Sequence, residues 1–148
     1  MRRFALIVGT LLLGVGVVAA QQDQLKQTQA VMKGNGKNAG ALAAMVKGEK
    51  PYDQATVDAA LAQFEDTIKK FPTLFPESIK GMKPEGDYSY SPKIWEDKAG
   101  FAEHIKSFGK AVADAKGKIK DLDSLKATLP VIGKQCGGCH ETYRVKNG

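Results

Sequence analysis

The sequence predicts an all-α chain folded as an antiparallel four-helix bundle. Three observations point there. Apolar residues recur at steps of three and four rather than two; β-branched runs are few while Ala, Lys and Leu abound; and four amphipathic stretches of similar length each carry one apolar stripe. With 148 residues, 43% of them hydrophobic and 26% charged, the chain fits one globular domain and excludes collagen-like, disulfide-dense and wholly disordered classes.

Residues 1–20 stand apart from that domain. Arg2-Arg3 is a basic start, Phe4 to Ala19 is apolar or small apart from Thr10, and Val18-Ala19-Ala20 supplies the small residues that signal peptidase requires, placing cleavage between Ala20 and Gln21. As an uncleaved helical anchor, the stretch from Phe4 to Ala20 would span about 26 Å, short of the ~30 Å hydrocarbon core. The expected division is therefore a signal peptide over 1–20 and the bundle over 21–148. Removing those 20 residues, two of them arginines, leaves 128 and takes the formal charge from +6 to +4. The remaining positive residues are nearly all scattered Lys without interleaved aromatics, a solvated surface rather than a nucleic-acid-binding one. Export implies an oxidising compartment and no stable membrane insertion after cleavage.

The first helix, Asp23 to Lys47, has Leu25, Met32, Ala39 and Val46 at intervals of seven, flanked by Leu42 and Ala43. Gly34, Asn35 and Gly36 weaken its middle at up to about 1 kcal/mol per Gly, as if something bulky approached there. Lys47-Gly48 and Pro51 end it. The second, Asp53 to Lys70, presents Val57, Leu61, Phe64, Ile68 and Phe71, and Pro72 stops it. Phe71 to Ser91, with Pro72, Pro76, Pro84, Gly81 and Gly86, reads as a long connection that covers something or joins distant neighbours. The third, Pro92 to Ile119, shows Phe101, Ile105, Phe108, Val112, Ala115 and Ile119. The fourth, Asp121 to Arg144, alternates Leu122, Leu125, Leu129, Ile132, Cys136, Cys139 and Tyr143 without a slip, and Pro130 should kink or divide it.

The chemistry lies in Cys136-Gly137-Gly138-Cys139-His140. In an exported protein, Cys-x-x-Cys-His is the attachment signal for haem c. Cysteines three apart on a helix lie about one turn from each other, so each sulfur can form a thioether to one porphyrin vinyl group, and His140 then points at the iron. Gly137 and Gly138 keep the space between the sulfurs clear. The other readings are weaker. A thioredoxin-like pair needs a strand before its helix; a zinc site needs a further ligand pair that His104 alone does not supply; and a Cys136–Cys139 disulfide would close a loop too short to stabilise much. One covalent haem is thus expected. No Met follows the motif, so a protein ligand on the other haem face must come from another helix.

A C-terminal Cys-x-x-Cys-His followed by Glu141-Thr142-Tyr143-Arg144, on the last of four helices behind a secretion signal, resembles the class II c-type cytochromes, the cytochrome c′ family. The resemblance spans the mature chain, including Met45 to Asp53 and Pro92-Lys93-Ile94-Trp95-Glu96. It is nearest the low-spin cytochrome c-556 branch, whose first helix carries a ligand Met in a Thr-Gln-x-x-Met context, here Thr28-Gln29-Ala30-Val31-Met32. Five-coordinate members have an apolar non-ligand there. The resemblance therefore implies Met32 as second axial ligand, although Met on an apolar stripe is also ordinary core filling. It further implies that Arg144 lies near the His140 side of the haem, where its charge favours reduced iron; a cation completing a helix end is the plainer alternative. Met45 reads as core or boundary, Met82 as loop, and His104 as a surface or boundary residue.

The expected function is soluble periplasmic electron transfer through one low-spin haem c with His140 and Met32 as ligands, exchanging electrons with periplasmic redox proteins and performing no enzymatic chemistry. The alternative is a high-spin, five-coordinate cytochrome c′ that binds nitric oxide or carbon monoxide. The family's dimers make a homodimer an expected assembly, with an interface the stripes do not define.

Overall fold

The computed structural model describes residues 12–147, with side chains from residue 18 onward. Much of the expected signal segment falls on residues 1–11, outside the described residues. The remainder forms five helices: α1 (Leu12–Val46), α2 (Gln54–Lys70), α3 (Lys93–Glu96), α4 (Lys98–Lys116) and α5 (Leu122–Tyr143). The four long ones make the expected antiparallel bundle, in which α1 packs on α2, α2 on α4, α4 on α5 and α5 on α1. Among the described residues, no helix is long and apolar enough to cross a membrane.

Local chemistry sets the helix ends. The Asp53 carboxylate accepts from Thr56 N at 2.9 Å, and Asp121 with Ser124 closes a reciprocal capping box, each worth about 1 kcal/mol. Gly48, at φ 77°, turns the chain out of α1 in the left-handed region that favours glycine.

Two expected boundaries move and one expected break is absent. Helix α1, described from Leu12, extends ahead of the expected Asp23 and runs unbroken through both Ala20-Gln21 and the Gly34-Asn35-Gly36 turn. The Asn38 amide donates to Gly34 O at 2.9 Å, within that turn. The expected third helix divides: α3 ends at Asp97, whose φ of −122° and ψ of 61° are not helical, and α4 begins after it. Asp97 breaks the run because its carboxylate accepts from Gly100 N at 3.0 Å and from the Tyr143 hydroxyl at 2.9 Å. Helix α5, in contrast, is not divided by Pro130. Its ring lies on the exposed side, where the carbonyl that loses an N–H partner can take water.

The connection between α2 and α3 is more structured than its Pro and Gly content suggests. It holds two short 3₁₀ turns, Phe71–Thr73 and Glu77–Ile79, and a strand β1 (Tyr88–Tyr90) that pairs antiparallel with β2 (Arg144–Lys146) directly after α5. Arg144 therefore sits on a strand and not on the helix. Hydrogen bonds fasten the connection to the bundle: Thr28 Oγ1 donates to Leu74 O at 3.2 Å and Trp95 Nε1 to Phe75 O at 3.1 Å.

The apolar stripes bury two separate cores. One is built on Leu42, Met45, Leu61, Phe64, Val112 and Leu125, the other on Leu25, Ile79, Ile94, Trp95, Phe101 and Tyr143. Cys136 packs against the first and Cys139 against the second. The cysteine motif thus lies where the two cores meet.

Gly100 is required beside the Asp97–Tyr143 bond, since a Cβ there would come within 2.2 Å of Asp97 Oδ2 and 2.7 Å of Tyr143 Oη. Gly100→Ala is expected to lower stability by about 2 kcal/mol in denaturant unfolding, the usual range for forced overpacking; unchanged stability would show the bond to be dispensable. Hydrogen bonds from Gly100 N and the Tyr143 hydroxyl hold the Asp97 carboxyl below its ordinary value. A depressed carboxyl contributes stability above its unfolded value, and that contribution disappears as pH falls through the folded one. Between about pH 5 and pH 2, stability should therefore fall more steeply in the parent than in Asp97→Asn, which thermal unfolding across that range will measure.

Candidate cofactor site

Between the two cores lies a cavity of about 590 Å³, a size typical of enclosed ligand sites. All four long helices and the β1 segment contribute to its lining, which is mainly apolar. Phe64, Phe71, Phe75, Phe101 and Phe108 supply aromatic walls.

Helix α5 delivers Cys136, Cys139 and His140 to this cavity together, as residues three and four apart on one helical face must be. Both thiols are free and half-buried. Burial pushes Cys136 up, and burial together with its neighbour Cys136 pushes Cys139 up to about 11. A redox-active or nucleophilic cysteine needs the opposite shift. His140 is held below its ordinary value by burial and by the charge of Arg144, so at neutral pH its imidazole keeps a lone pair for a metal. The glycines between the cysteines are less constrained than the sequence suggested. A Cβ at Gly137 would meet nothing, and one at Gly138 would meet only His104 Cε1 at 3.7 Å.

Helix α1 forms another wall with Thr28, Gln29, Met32, Asn35, Gly36 and Ala39. Among the described methionines, Met32 is the one that reaches the cavity. Met45 is buried in the first core, and Met82 packs at the margin of the second. The space the sequence placed beside Gly34 and Gly36 is present: Gly36 lines the cavity with nothing within 4 Å of its absent Cβ, while Gly34 lies against the Gln63 side chain of α2.

Arg144 and Tyr143 close the cavity near His140. The Arg144 guanidinium stacks 4.2 Å above the Tyr88 ring, joining the two short strands at the cavity wall. Tyr143 is buried; burial and then its bond to the Asp97 carboxylate raise its phenol to about 12.

Two features escaped the sequence reading. His104 is a half-buried boundary residue as expected, yet it lines the cavity and meets the Tyr143 ring edge-on at 5.5 Å. Thr67 of α2, 1% exposed, donates its hydroxyl to Asn35 Oδ1 at 2.8 Å, which joins α1 to α2 through a polar pair at the cavity wall. The first could be suspected from its place beside the Phe101 and Ile105 stripe. The second joins residues 32 apart in the chain and has no local signal.

The donor set fits haem c. A flat apolar group needs a large apolar slot, two thiols one turn apart for its vinyl carbons and an imidazole beside them, and all three are present. Among the described residues, no group of three or more His, Cys, Asp or Glu is arranged to hold a bare metal ion.

Comparison with known proteins agrees. The family model described as Cytochrome C′ matches residues 23–144. The chain is 55% identical to cytochrome c-556 of Rhodopseudomonas palustris over the full length of both, and 42% identical to cytochrome c′ of the same organism over 97% of each. Among solved structures, an NMR-validated structural model of oxidised R. palustris cytochrome c556 superposes with a TM-score of 0.77 at 58% identity, covering 86% of this chain and 99% of the other. This agreement of fold, motif and cavity over nearly the whole length makes the chain a member of the cytochrome c′ family of haem c proteins.

Proposed function

We propose that the protein is a periplasmic electron carrier with one low-spin haem c, exported by the signal segment over residues 1–20. Cys136 and Cys139 would anchor the haem as thioethers, and His140 and Met32 would ligate its iron. The observation that carries this reading is the convergence of Met32 from α1 and His140 from α5 on one apolar cavity. Bound there, the haem supplies an iron that accepts and returns one electron. Retaining two protein ligands in both oxidation states keeps rearrangement small, and thioether sulfur favours the ferrous state. The residues around it exclude water and fix orientation. Tyr143, tied to Asp97, steadies the last turn of α5 that carries His140, and the cation of Arg144 favours the reduced form. Carrying an electron needs no general acid, base or nucleophile, and both thiols are committed to anchoring, so no enzymatic reaction is assigned.

The second reading, a five-coordinate cytochrome c′ that takes up nitric oxide or carbon monoxide, draws support from the 42% identity to a cytochrome c′. Met32 decides between them. Ferric Met32→Ala should change from a low-spin to a high-spin absorption spectrum. A wild-type protein already high spin, or a variant still low spin, would refute the His/Met assignment. Attachment is checked separately. Under denaturing conditions the intact mass should exceed the polypeptide by one haem, and the Cys136→Ala, Cys139→Ala double variant should lose that increment.

A further inference from the structure

Among the described residues Arg144 belongs to no ion pair. Acidic groups are nevertheless close by, since Glu85 and Asp87 line the same cavity and Glu141 precedes Arg144 by three residues. The guanidinium lies instead 4.2 Å from the centre of the Tyr88 ring. Contacts on both sides hold the pair there. Arg144 N donates to His140 O, which fixes the Arg144 backbone against the last turn of α5. Across the two strands, Tyr90 stands opposite Arg144 and Lys146 opposite Tyr88, so the Arg144–Tyr88 contact is a diagonal one, within reach of a long side chain and a ring. Asn147 secures the entry to β1, its backbone N–H donating to Asp87 O at 2.8 Å and its side-chain amide to Gly86 O at 2.6 Å. Tyr88 itself is 45% exposed and belongs to neither core, so burial of the ring does not explain its presence.

The nature of the partner decides what the cation can do. A carboxylate in place of Tyr88 would hold Arg144 as firmly but would cancel its charge as seen from the cavity. An aromatic face attracts a cation through its quadrupole and leaves the whole positive charge in place. Without the ring, a long side chain on an exposed strand is free to move among solvent and the carboxylates of Glu85, Asp87 and Glu141. We propose that Tyr88 is a positioning residue for Arg144, holding its guanidinium uncompensated at the His140 end of the cavity and so raising the reduction potential of the haem iron. This rests on the haem c reading and on the effect of Arg144 given with it. A plain staple between β1 and β2 would also account for the contact, but a staple requires no cation, and an apolar cross-strand pair would serve it equally.

The test is the reduction potential of the holoprotein and its variants. Tyr88→Leu should lower the ferrous-to-ferric ratio at a fixed applied potential about threefold, equivalent to about 28 mV at 59 mV per tenfold for one electron. Tyr88→Phe should match the parent, because the ring face is kept. Arg144→Gln should lower the ratio at least as far as Tyr88→Leu, and combining the two should lower it no further. An unchanged potential in Tyr88→Leu, with Arg144→Gln still lowering it, would overturn the positioning role. An equal drop from Tyr88→Leu with and without Arg144 would overturn it as well, and would assign the effect to loosened strands. If Arg144→Gln itself leaves the potential unchanged, the effect ascribed to Arg144 fails and this proposal falls with it. Failure of the haem reading is seen separately, as a missing mass increment on Cys136 and Cys139.

Discussion

A bundle built around a cavity of about 590 Å³ must fill it, and the rest of the structure follows from that constraint. At roughly 24 cal/mol per Å³, a dry void of that size would cost on the order of 14 kcal/mol, as much as a whole domain's stability. Water entering from the open side reduces the figure without supplying the apolar contacts the aromatic walls are shaped to make. Two cores rather than one, a long strapped connection and a helix that places two sulfurs at their junction all belong to a chain that folds around a large planar group. The haem is in this sense part of the hydrophobic core, which four amphipathic stripes alone leave incomplete.

The supporting chemistry is concentrated at one end of α5. Tyr143 donates from its hydroxyl to Asp97, accepts at its carbonyl from Ser91 N at 3.0 Å and stacks edge-on against Phe101. Asp97 in turn caps α4. One tyrosine therefore registers α5 against α4 and against the connection ahead of α3, three residues after His140. Immediately afterwards β2 pairs with β1, and the side chain and backbone of Asn147 bond to Gly86 O and Asp87 O. The cavity wall formed by residues 86–90 is held by the chain that follows the motif.

Much of this was legible beforehand, and the reasons differ by element. Helix α2 could be read nearly to the residue because Asp53, the apolar run from Val57 to Phe64 and Pro72 are local signals that agree. Cys136, Cys139 and His140 could be placed together on one cavity wall because residues three and four apart share a helical face. Other features were hidden because their cause is distant in sequence. Asp97 looks like an ordinary exposed position in a helical run until the Tyr143 hydroxyl, 46 residues away, is placed against it. The strands β1 and β2, three residues each, have no periodicity to detect and pair across 56 residues. His104 sits at a stripe's margin, and its place on the cavity wall follows from the packing of α4 on α5, which no local signal reports.

The position of the two cysteines has a consequence for cooperativity. Each packs against a different core, so a group bonded to both would join regions that otherwise share only helices and the cavity margin. With two residues between the sulfurs, the link closes too short a loop to restrict the unfolded chain much. Its effect falls instead on the independence of local openings. Two cores that could loosen separately would then become one cooperative unit, in which fraying around Trp95 would be felt at Leu125.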